Sequence, residues 1–303
     1  MLPYLTRRLL AFIPVLWAAV TLVFIALRLT PGAPTETLYA EALIPPEQVA
    51  ANRAALGLDR PLLEQYAAFV GQLARGQFGA SIFTGRSVVI TISEMLGPTA
   101  QLASTGLALG LLFGLALGLI AATTRLGGRA AQFAIALSQA LPVAWTGLLI
   151  LWLGTGLLRL SSALLVSLAL PALVLAIAVA GPIAQITRAS LSASQNAPYL
   201  LAARARGIPE GWPVMRHALR ASVVPIVNMA ALQAAFLFGG TVITETVFAR
   251  PGLGRLLVDS LLRKDFPVVQ GIVLVVAGLY LAFNLAADLA AAALDPRLRA
   301  QWH

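Results

Sequence analysis

Six long stretches of the chain contain no charged residue, and they dominate its pattern of hydrophobic and polar positions. They span residues 9–27, 95–124, 130–158, 160–187, 221–244 and 266–287, and their lengths run from 19 to 30 residues. A helix needs about 20 mostly apolar residues to cross a bilayer. The pattern predicts an all-α polytopic membrane protein with six transmembrane helices. Pro142 and Pro171 lie inside two of the stretches, where we expect kinks.

The overall composition supports this class of protein. Hydrophobic residues make up 59% of the 303 residues and charged residues 11%, with a mean hydropathy of +0.86. Soluble domains carry about 25% charged residues, so this chain has too little polar surface to be a soluble globule. We attribute the net charge of +9 to basic loops beside a membrane, not to nucleic-acid binding. With no cysteine and two histidines, the chain is not expected to hold a metal.

Loop charge and loop length predict which side of the membrane each segment faces. Placing both termini in the cytoplasm puts eleven basic residues inside and ten outside, and four of those ten lie well inside the long segment 28–94, away from its first residue, Arg28. Long loops translocate largely regardless of charge, so those four residues do not count against this orientation, and we expect cytoplasmic termini. The four basic residues of the last outer loop conflict with this expectation. The expected parts are a transmembrane helix at 1–30, an extracytoplasmic segment at 31–97 with helices at 46–56 and 62–73, and a five-helix core at 98–303 with a cytoplasmic loop at 184–224.

Missing motifs indicate how the chain obtains energy. It has no glycine-rich phosphate loop that ends in lysine, and its one lysine, Lys264, stands between Arg263 and Asp265. None of the six stretches contains an acidic or basic residue of the kind that forms proton relays. The sequence therefore predicts a non-hydrolysing membrane subunit, not an enzyme, whose energy comes from a partner.

The loop at 199–212 has the features of a segment that binds a partner. It reads YLLAARARGIPEGW, in which good helix formers end at Gly207, a common helix terminator. Ala202 and Ala203 leave room for a docking surface, and Arg204 and Arg206 offer positive charge. The composition fits an acidic groove on a partner and a layer of anionic lipid headgroups equally well.

The same loop carries the first of several motifs that resemble one family of transport proteins. Tyr199 to Gly207, followed by RHALR at 216–220 and Pro225, resembles the coupling loop of ABC importer permeases of the dipeptide/oligopeptide/nickel family. Further similar motifs are RLTPG at 28–32, GLDRPL at 57–62, QY at 65–66, GQFGAS at 76–81, ETVFARPGLGR at 245–255, DFPVVQG at 265–271 and LDPR at 294–297. They cover nearly the whole chain in order. The chain departs from the usual pattern at Ala33, Gln77, Pro198 and Leu201.

The resemblance implies the type I ABC importer permease fold, in the first (B-type) permease of a pair in the cell inner membrane. The implied partners are a second homologous permease, two ABC ATPases that bind ATP and Mg²⁺, and an extracytoplasmic solute-binding protein, with no cofactor on this chain. The implied cargo is a dipeptide or oligopeptide. The alternatives are nickel or a metal chelate in the same family, or a secondary carrier or channel.

Three groups of residues take roles from this resemblance, with no catalytic or metal residue among them. Coupling to the ATPases is expected of Tyr199, Ala202, Ala203, Arg204, Arg206 and Gly207. A loop at the outer mouth, reaching toward the binding protein, is expected to contain Glu245, Pro251, Gly252 and Gly254. Structural caps or ion pairs at inner helix ends are expected of Asp288, Asp295 and Arg297.

Overall fold

The described part of the chain is almost entirely helical. The computed structural model describes residues 2–29, 57, 59–124, 126–161, 167–195, 205–206 and 212–294. Within these ranges the extended structure amounts to one isolated bridge between Ala80 and Ser87. The predicted all-α fold class is confirmed.

Nine α-helices follow one another along these ranges. They are α1 Leu2–Leu29, α2 Leu62–Ala74, α3 Val88–Thr123, α4 Leu126–Ala140, α5 Val143–Trp152, α6 Ala169–Gln195, α7 Trp212–Val247, α8 Leu253–Leu262 and α9 Phe266–Leu294, with a π-helical segment, Leu153–Leu157, after α5. Four of them (α1, α3, α6 and α9) are long and apolar enough to cross a membrane, and two bent pairs raise the number of spans to as many as six. The bent pairs are 127–140 with 143–157, and 222–237 with 239–247.

Helices α3 and α6 pack along a seam of glycines. Gly106, Gly110, Gly114 and Gly118 recur at every fourth position of α3 and therefore lie on one face of the helix. A Cβ atom at Gly114 would lie 2.7 Å from Ile183 Cγ2 and 2.9 Å from the Ala180 carbonyl oxygen. A Cβ atom at Gly118 would lie 2.6 Å from Thr187 Cβ. Small residues allow such close approach of helix backbones in membranes.

The chain divides into two compact units. The first contains the described parts of residues 2–6, 100–250 and 279–294, and its main buried cluster lies beside the glycine seam. That cluster consists of Leu102, Ala103, Ala172, Leu175, Val179, Ile183 and Leu237. Apolar side chains from three helices thus fill the space beside the seam.

The second unit contains the described parts of residues 7–99 and 251–278. Its main cluster joins α3, α8 and α9 through Val88, Ile92, Leu253, Val268 and Ile272. Helix α2, predicted at 62–73, is present at 62–74, and it packs on α1 through aromatic contacts of Tyr66 and Phe69 with Phe24. The helix predicted at 46–56 lies outside the described residues.

Two local expectations differ from the structure. Pro171 is the third residue of α6, because the helix begins at Ala169. Proline is tolerated in a first turn, where its missing N–H needs no partner, so Pro171 is not a mid-span kink. The outer loop predicted between Glu245 and Asp265 is mostly helical, because α7 continues to Val247 and α8 occupies 253–262.

Candidate functional site

A cavity of about 520 Å³ lies beside the bend between α4 and α5. The two helices meet at 103°, and the bend falls at Leu141 and Pro142. Five helices and the bend line the cavity, through Ser138, Gln139, Leu141, Pro142, Val143, Ala178, Pro182, Leu232, Gln233, Phe236 and Tyr280. All of these residues belong to the first unit.

Proline chemistry explains the position of the bend. Pro142 has no N–H to continue α4, and a proline disfavours the helical conformation of the residue before it. Pro142 is extended (φ −60°, ψ 141°), and its carbonyl oxygen then accepts the Thr146 N–H at 3.0 Å as α5 begins. Irregular backbone at membrane depth is tolerated where it is buried in protein or lines a cavity. The bend therefore brings polar backbone to the cavity wall.

The polar side chains of the cavity carry no formal charge. Ser138 Oγ and Gln139 Nε2 both donate to the Ile135 carbonyl oxygen, at 2.8 and 3.3 Å, and Gln233 Nε2 donates to Met229 Sδ at 3.6 Å. Both glutamine bonds use the amide nitrogen, which leaves the carbonyl oxygen of each side chain to accept from a ligand. Tyr280 adds a hydroxyl group. These side chains can form hydrogen bonds with an uncharged polar group of a ligand in the cavity.

Two motifs of the sequence analysis meet in the second unit. Ser81 Oγ donates to Asp265 Oδ2 at 2.5 Å, and the Ile82 N–H donates to Asp265 Oδ1 at 3.2 Å. Both Ser81 and Asp265 are buried. A Cβ atom at Gly271, in the same motif as Asp265, would lie 2.6 Å from Val88 Cγ1. These motifs fix the turn before α3 against the start of α9.

Comparison with known proteins places this architecture in a transport family. A sequence profile described as "Binding-protein-dependent transport system inner membrane component" matches residues 114–300. A second profile, described as "Binding-prot-dependent transport system membrane comp, N-term", matches residues 1–102. The chain belongs to this family.

Named relatives and a solved structure agree with this assignment. The glutathione transport system permease protein GsiC of Escherichia coli (strain K12) is 36% identical over 310 aligned positions, which cover 99% of each chain. GsiC of Salmonella choleraesuis (strain SC-B67) is 36% identical over 309 positions with the same coverage. An inward-facing structure of the MetNI methionine ABC transporter has a similar fold, with a TM-score of 0.58, 18% identity, and coverage of 68% of this chain and 96% of that chain.

The family assignment confirms several predictions from the sequence. This permease is a multi-pass inner-membrane component of the dipeptide/oligopeptide/nickel type of ABC importer. The family is non-enzymatic and has no cofactor of its own, because ATP is hydrolysed on partner ATPases. ABC importers generally combine two permeases with ATPases and a binding protein. The alternative of a secondary carrier or channel is therefore wrong.

The predicted coupling segment of the permease falls mostly outside the described residues. Of its six residues, Arg206 is described, and its side chain is exposed. The other five, Tyr199, Ala202, Ala203, Arg204 and Gly207, lie outside the described ranges. Their role stays a prediction.

The residues predicted for the outer-mouth loop occupy different kinds of structure. Glu245 lies in the last turn of α7 with its side chain fully buried, so its placement in a loop is wrong. The helix ends in a Schellman motif, in which the Arg250 N–H bonds to the Glu245 carbonyl at 2.9 Å and Ala249 has φ +52°. The helix continues beyond the apolar stretch, which ends at Thr244. It stops at this motif, whose left-handed residue is Ala249 and not the usual glycine.

The second part of the same loop starts α8. Pro251 is exposed, Gly252 occupies the N-cap position in an extended conformation, and Gly254 is buried in the first turn. The Leu253 N–H donates to Thr99 Oγ1 at 2.8 Å, so a side chain from α3 caps this helix. Residues 251–254 thus form a packed helix start.

The last predicted group concerns the end of the chain. Asp288 is half-buried within α9, six residues before the helix ends at Leu294. Asp295 and Arg297 lie outside the described residues. Their role as structural caps or ion pairs stays a prediction.

Sequence reasoning singled out Pro142 but none of the other residues that line the cavity. Gln139, Gln233 and Tyr280 stand inside or beside apolar stretches and carry no charge. The signal that could have found them is Pro142, since a proline-interrupted span is a pointer to a binding site in transporters.

Proposed function

We propose that this permease forms the translocation pathway of an ATP-driven importer of dipeptides and oligopeptides, and that the cavity at the α4–α5 bend is part of that pathway. The observation that carries the proposal is the cavity wall, which is mostly apolar and presents neutral amides and hydroxyls but no formally charged side chain. Transport requires contacts strong enough to admit cargo and weak enough to release it. Neutral amides and hydroxyls meet that need for a peptide backbone, whatever its side chains.

The size and chemistry of the cavity support a cargo of this class. A volume of about 520 Å³ lies in the ordinary range for sites that bind small molecules, roughly 300–1,000 Å³. The relatives named above are glutathione permeases, and glutathione is a tripeptide. A short peptide therefore fits both the cavity and the relatives.

The proposed assembly contains a second homologous permease, two ABC ATPases that bind ATP and Mg²⁺, and an extracytoplasmic solute-binding protein. We place both termini of this chain in the cytoplasm and residues 31–97 on the outer side, where they help dock the binding protein. The outer-mouth residues Pro251, Gly252 and Gly254 belong to the same side.

The mechanism we propose is rigid-body alternating access. A short helix ending at Gly207 seats in a groove on an ATPase, with Ala202 and Ala203 at the contact. ATP closes the ATPase dimer and moves the seated helices together, so the pathway changes from inward-open to outward-open. ATP favours one of the two states because it binds them unequally.

Removing the neutral amides from the cavity tests the pathway. In the double variant Gln139→Leu/Gln233→Leu, two groups that exchange hydrogen bonds with the cargo are lost. One hydrogen bond is worth about 1 kcal/mol and about 1.4 kcal/mol is tenfold, so we expect the loss of two to lower tripeptide uptake by about thirtyfold. Uptake is measured in proteoliposomes with the binding protein present. Gln132→Leu, an exposed residue of α4 outside the cavity lining, is the control. Unchanged uptake in the double variant would remove the cavity from the pathway.

A change at the predicted coupling segment tests the link to ATP. Gly207→Val places a β-branched side chain at the proposed helix end, where a glycine commonly takes a left-handed conformation. We expect ATPase activity stimulated by the binding protein to persist while uptake falls about tenfold or more, the size of a 1.4 kcal/mol loss of coupling. Gly71→Val, at a helical glycine with open space around it, is the control. Normal stimulated uptake in Gly207→Val would refute the coupling role.

A further inference from the structure

Arg28 lies in the last turn of α1, in a setting built to hold its side chain in one place. Its guanidinium carbon lies 4.7 Å from the ring centroid of Phe24 and 4.9 Å from that of Phe266. Its Nε donates to Gln65 Oε1 at 2.8 Å, and Gln65 Nε2 in turn donates to the Arg60 carbonyl at 2.8 Å. The two aromatic rings and the hydrogen bond from Nε thus fix the orientation of the planar guanidinium.

One nitrogen of this fixed guanidinium, Nη1 of Arg28, is buried and unpaired among the described residues. Buried polar groups in proteins are almost always paired, and an unpaired one calls for an explanation such as a bound ion. A charged donor that is held in place and unpaired is suited to an anionic acceptor.

The guanidinium borders a cavity of about 410 Å³ in the second unit. Parts of α1, α2, the turn before α3, and α9 line it, and the polar groups of the lining come from Arg28, Arg60, Gln65, Gln72 and Gln270. Two of these residues are cationic, and none of the described residues that line the cavity is acidic. The cavity is therefore positive and has space for a ligand.

The surroundings of the cavity are those of a lipid contact. Leu29, which follows Arg28, is 78% exposed, and Leu62 and Leu63, just after Arg60, are 60% and 78% exposed. The span Thr6–Leu29 is 11% buried in its most apolar window. Its 24 residues give a helix about 36 Å long, against a hydrocarbon core about 30 Å thick. Arg28, at the end of that span, thus lies at the level of the lipid headgroups.

We propose that this cavity binds the phosphate of an anionic phospholipid, whose acyl chains lie against the exposed leucines and α1. Arg28 donates to the phosphate oxygens through Nη1, and Arg60 adds a second positive charge. Guanidinium groups match phosphate geometry, and basic pockets between membrane helices are suited to lipid headgroups. The site would tie α1 and α2 to the membrane surface, and it does not depend on the identity of the cargo.

Lipid retention by the purified protein tests the proposal. The permease, with its co-purifying subunits, is exchanged from detergent into phosphatidylglycerol and washed, and bound lipid is measured by native mass spectrometry. We expect the unmodified protein to retain phosphatidylglycerol and Arg28→Gln to lose about tenfold in retention, the size of one charge-assisted hydrogen bond. Arg86→Gln is the control, because Arg86 is exposed and paired with Glu94 at 2.6 Å. Equal retention by Arg28→Gln and the unmodified protein would overturn the proposal.

Two further measurements distinguish a lipid from other sources of negative charge. If inorganic phosphate protects the protein against heat as well as phosphatidylglycerol does, and Arg28→Gln removes both effects, the site recognises free phosphate and the lipid proposal fails. If Arg28→Gln weakens docking of the binding protein in lipid-free detergent while lipid retention is unchanged, the partner is a protein carboxylate and the proposal also fails.

A second variant covers a failure of Arg28→Gln to fold. Gln65→Met keeps the side-chain length but removes the acceptor that orients Arg28, and we expect it to lower phosphatidylglycerol retention several-fold. Full retention by Gln65→Met, when Arg28→Gln does not fold, would count against the site.

Discussion

Replacing Gly114 by leucine is expected to separate α3 from α6 and to leave little folded permease in the membrane. The first added carbon would lie 2.7 Å from Ile183 Cγ2 and 2.9 Å from the Ala180 carbonyl oxygen, and a backbone oxygen within a helix cannot turn aside as a side chain can. Overpacking of a core costs about 1–3 kcal/mol, and the backbone contact puts this variant at or above the upper end. Thermal unfolding of the detergent-purified protein, followed by the loss of its monodisperse chromatographic peak, measures the effect.

Gly278→Leu is the matched control for the seam. Gly278 lies inside another long apolar helix, α9, and a Cβ atom there has no neighbour within 4 Å among the described residues outside its own helix backbone. Leucine also has the better intrinsic helix propensity, so this variant is expected to unfold at or above the temperature of the unmodified protein. Equal losses of stability in both variants would mean that the glycine seam does not set the packing of α3.

Removing the carboxylate of Asp265 is expected to cause the second large loss of stability. Asp265→Ala takes away the acceptor of the Ser81 hydroxyl and of the Ile82 N–H, which bond to it at 2.5 and 3.2 Å. Hydrogen bonds to charged groups are worth about 1.5–3 kcal/mol, and a buried donor left unpaired adds to the cost. We expect a loss of about 3 kcal/mol in the free energy of unfolding, measured by thermal unfolding with and without Ser81→Ala.

Asp259→Ala provides the contrast for this prediction. Asp259 lies in α8, six residues before Asp265, and its 3.8 Å pair with Arg255 is solvent-exposed. Exposed pairs four residues apart on a helix contribute about 0.3–0.5 kcal/mol, so this variant should remain close to the unmodified protein. If Asp265→Ala is no less stable than Asp259→Ala, the hydrogen bond between Ser81 and Asp265 does not contribute to the stability of the fold.

The spans could be predicted from sequence because a membrane imposes one simple requirement. A stretch without charge that is long enough to cross the bilayer is visible in the residues themselves, and all six stretches contain helix in the structure. Pro142 was also visible as a local disturbance, since a proline acts on its own and the preceding residue. The angle of 103° between the helices on either side of Pro142 could not be predicted, because packing around the break sets that angle.

The parts that could not be predicted depend on residues far apart in the chain or on weak local signals. Ser81 and Asp265 are 184 residues apart, and nothing local in either motif indicates the other. Helices α7 and α8 are terminated by Ala249 and Lys264, which follow the helix ends and have positive φ, so the usual glycine signal is missing. Gln139 and Gln233 carry no charge, so they do not stand out from the apolar stretches around them.

The glycine seam also limits how this protein can move. At the seam α3 has no side chains, and the buried side chains of Leu175, Val179, Ile183 and Thr187 in α6 lie directly against its backbone, so neither helix has room to slide past the other. The two helices must therefore move as one rigid body during a transport cycle. Bending is then left to segments outside the seam, such as the break at Pro142.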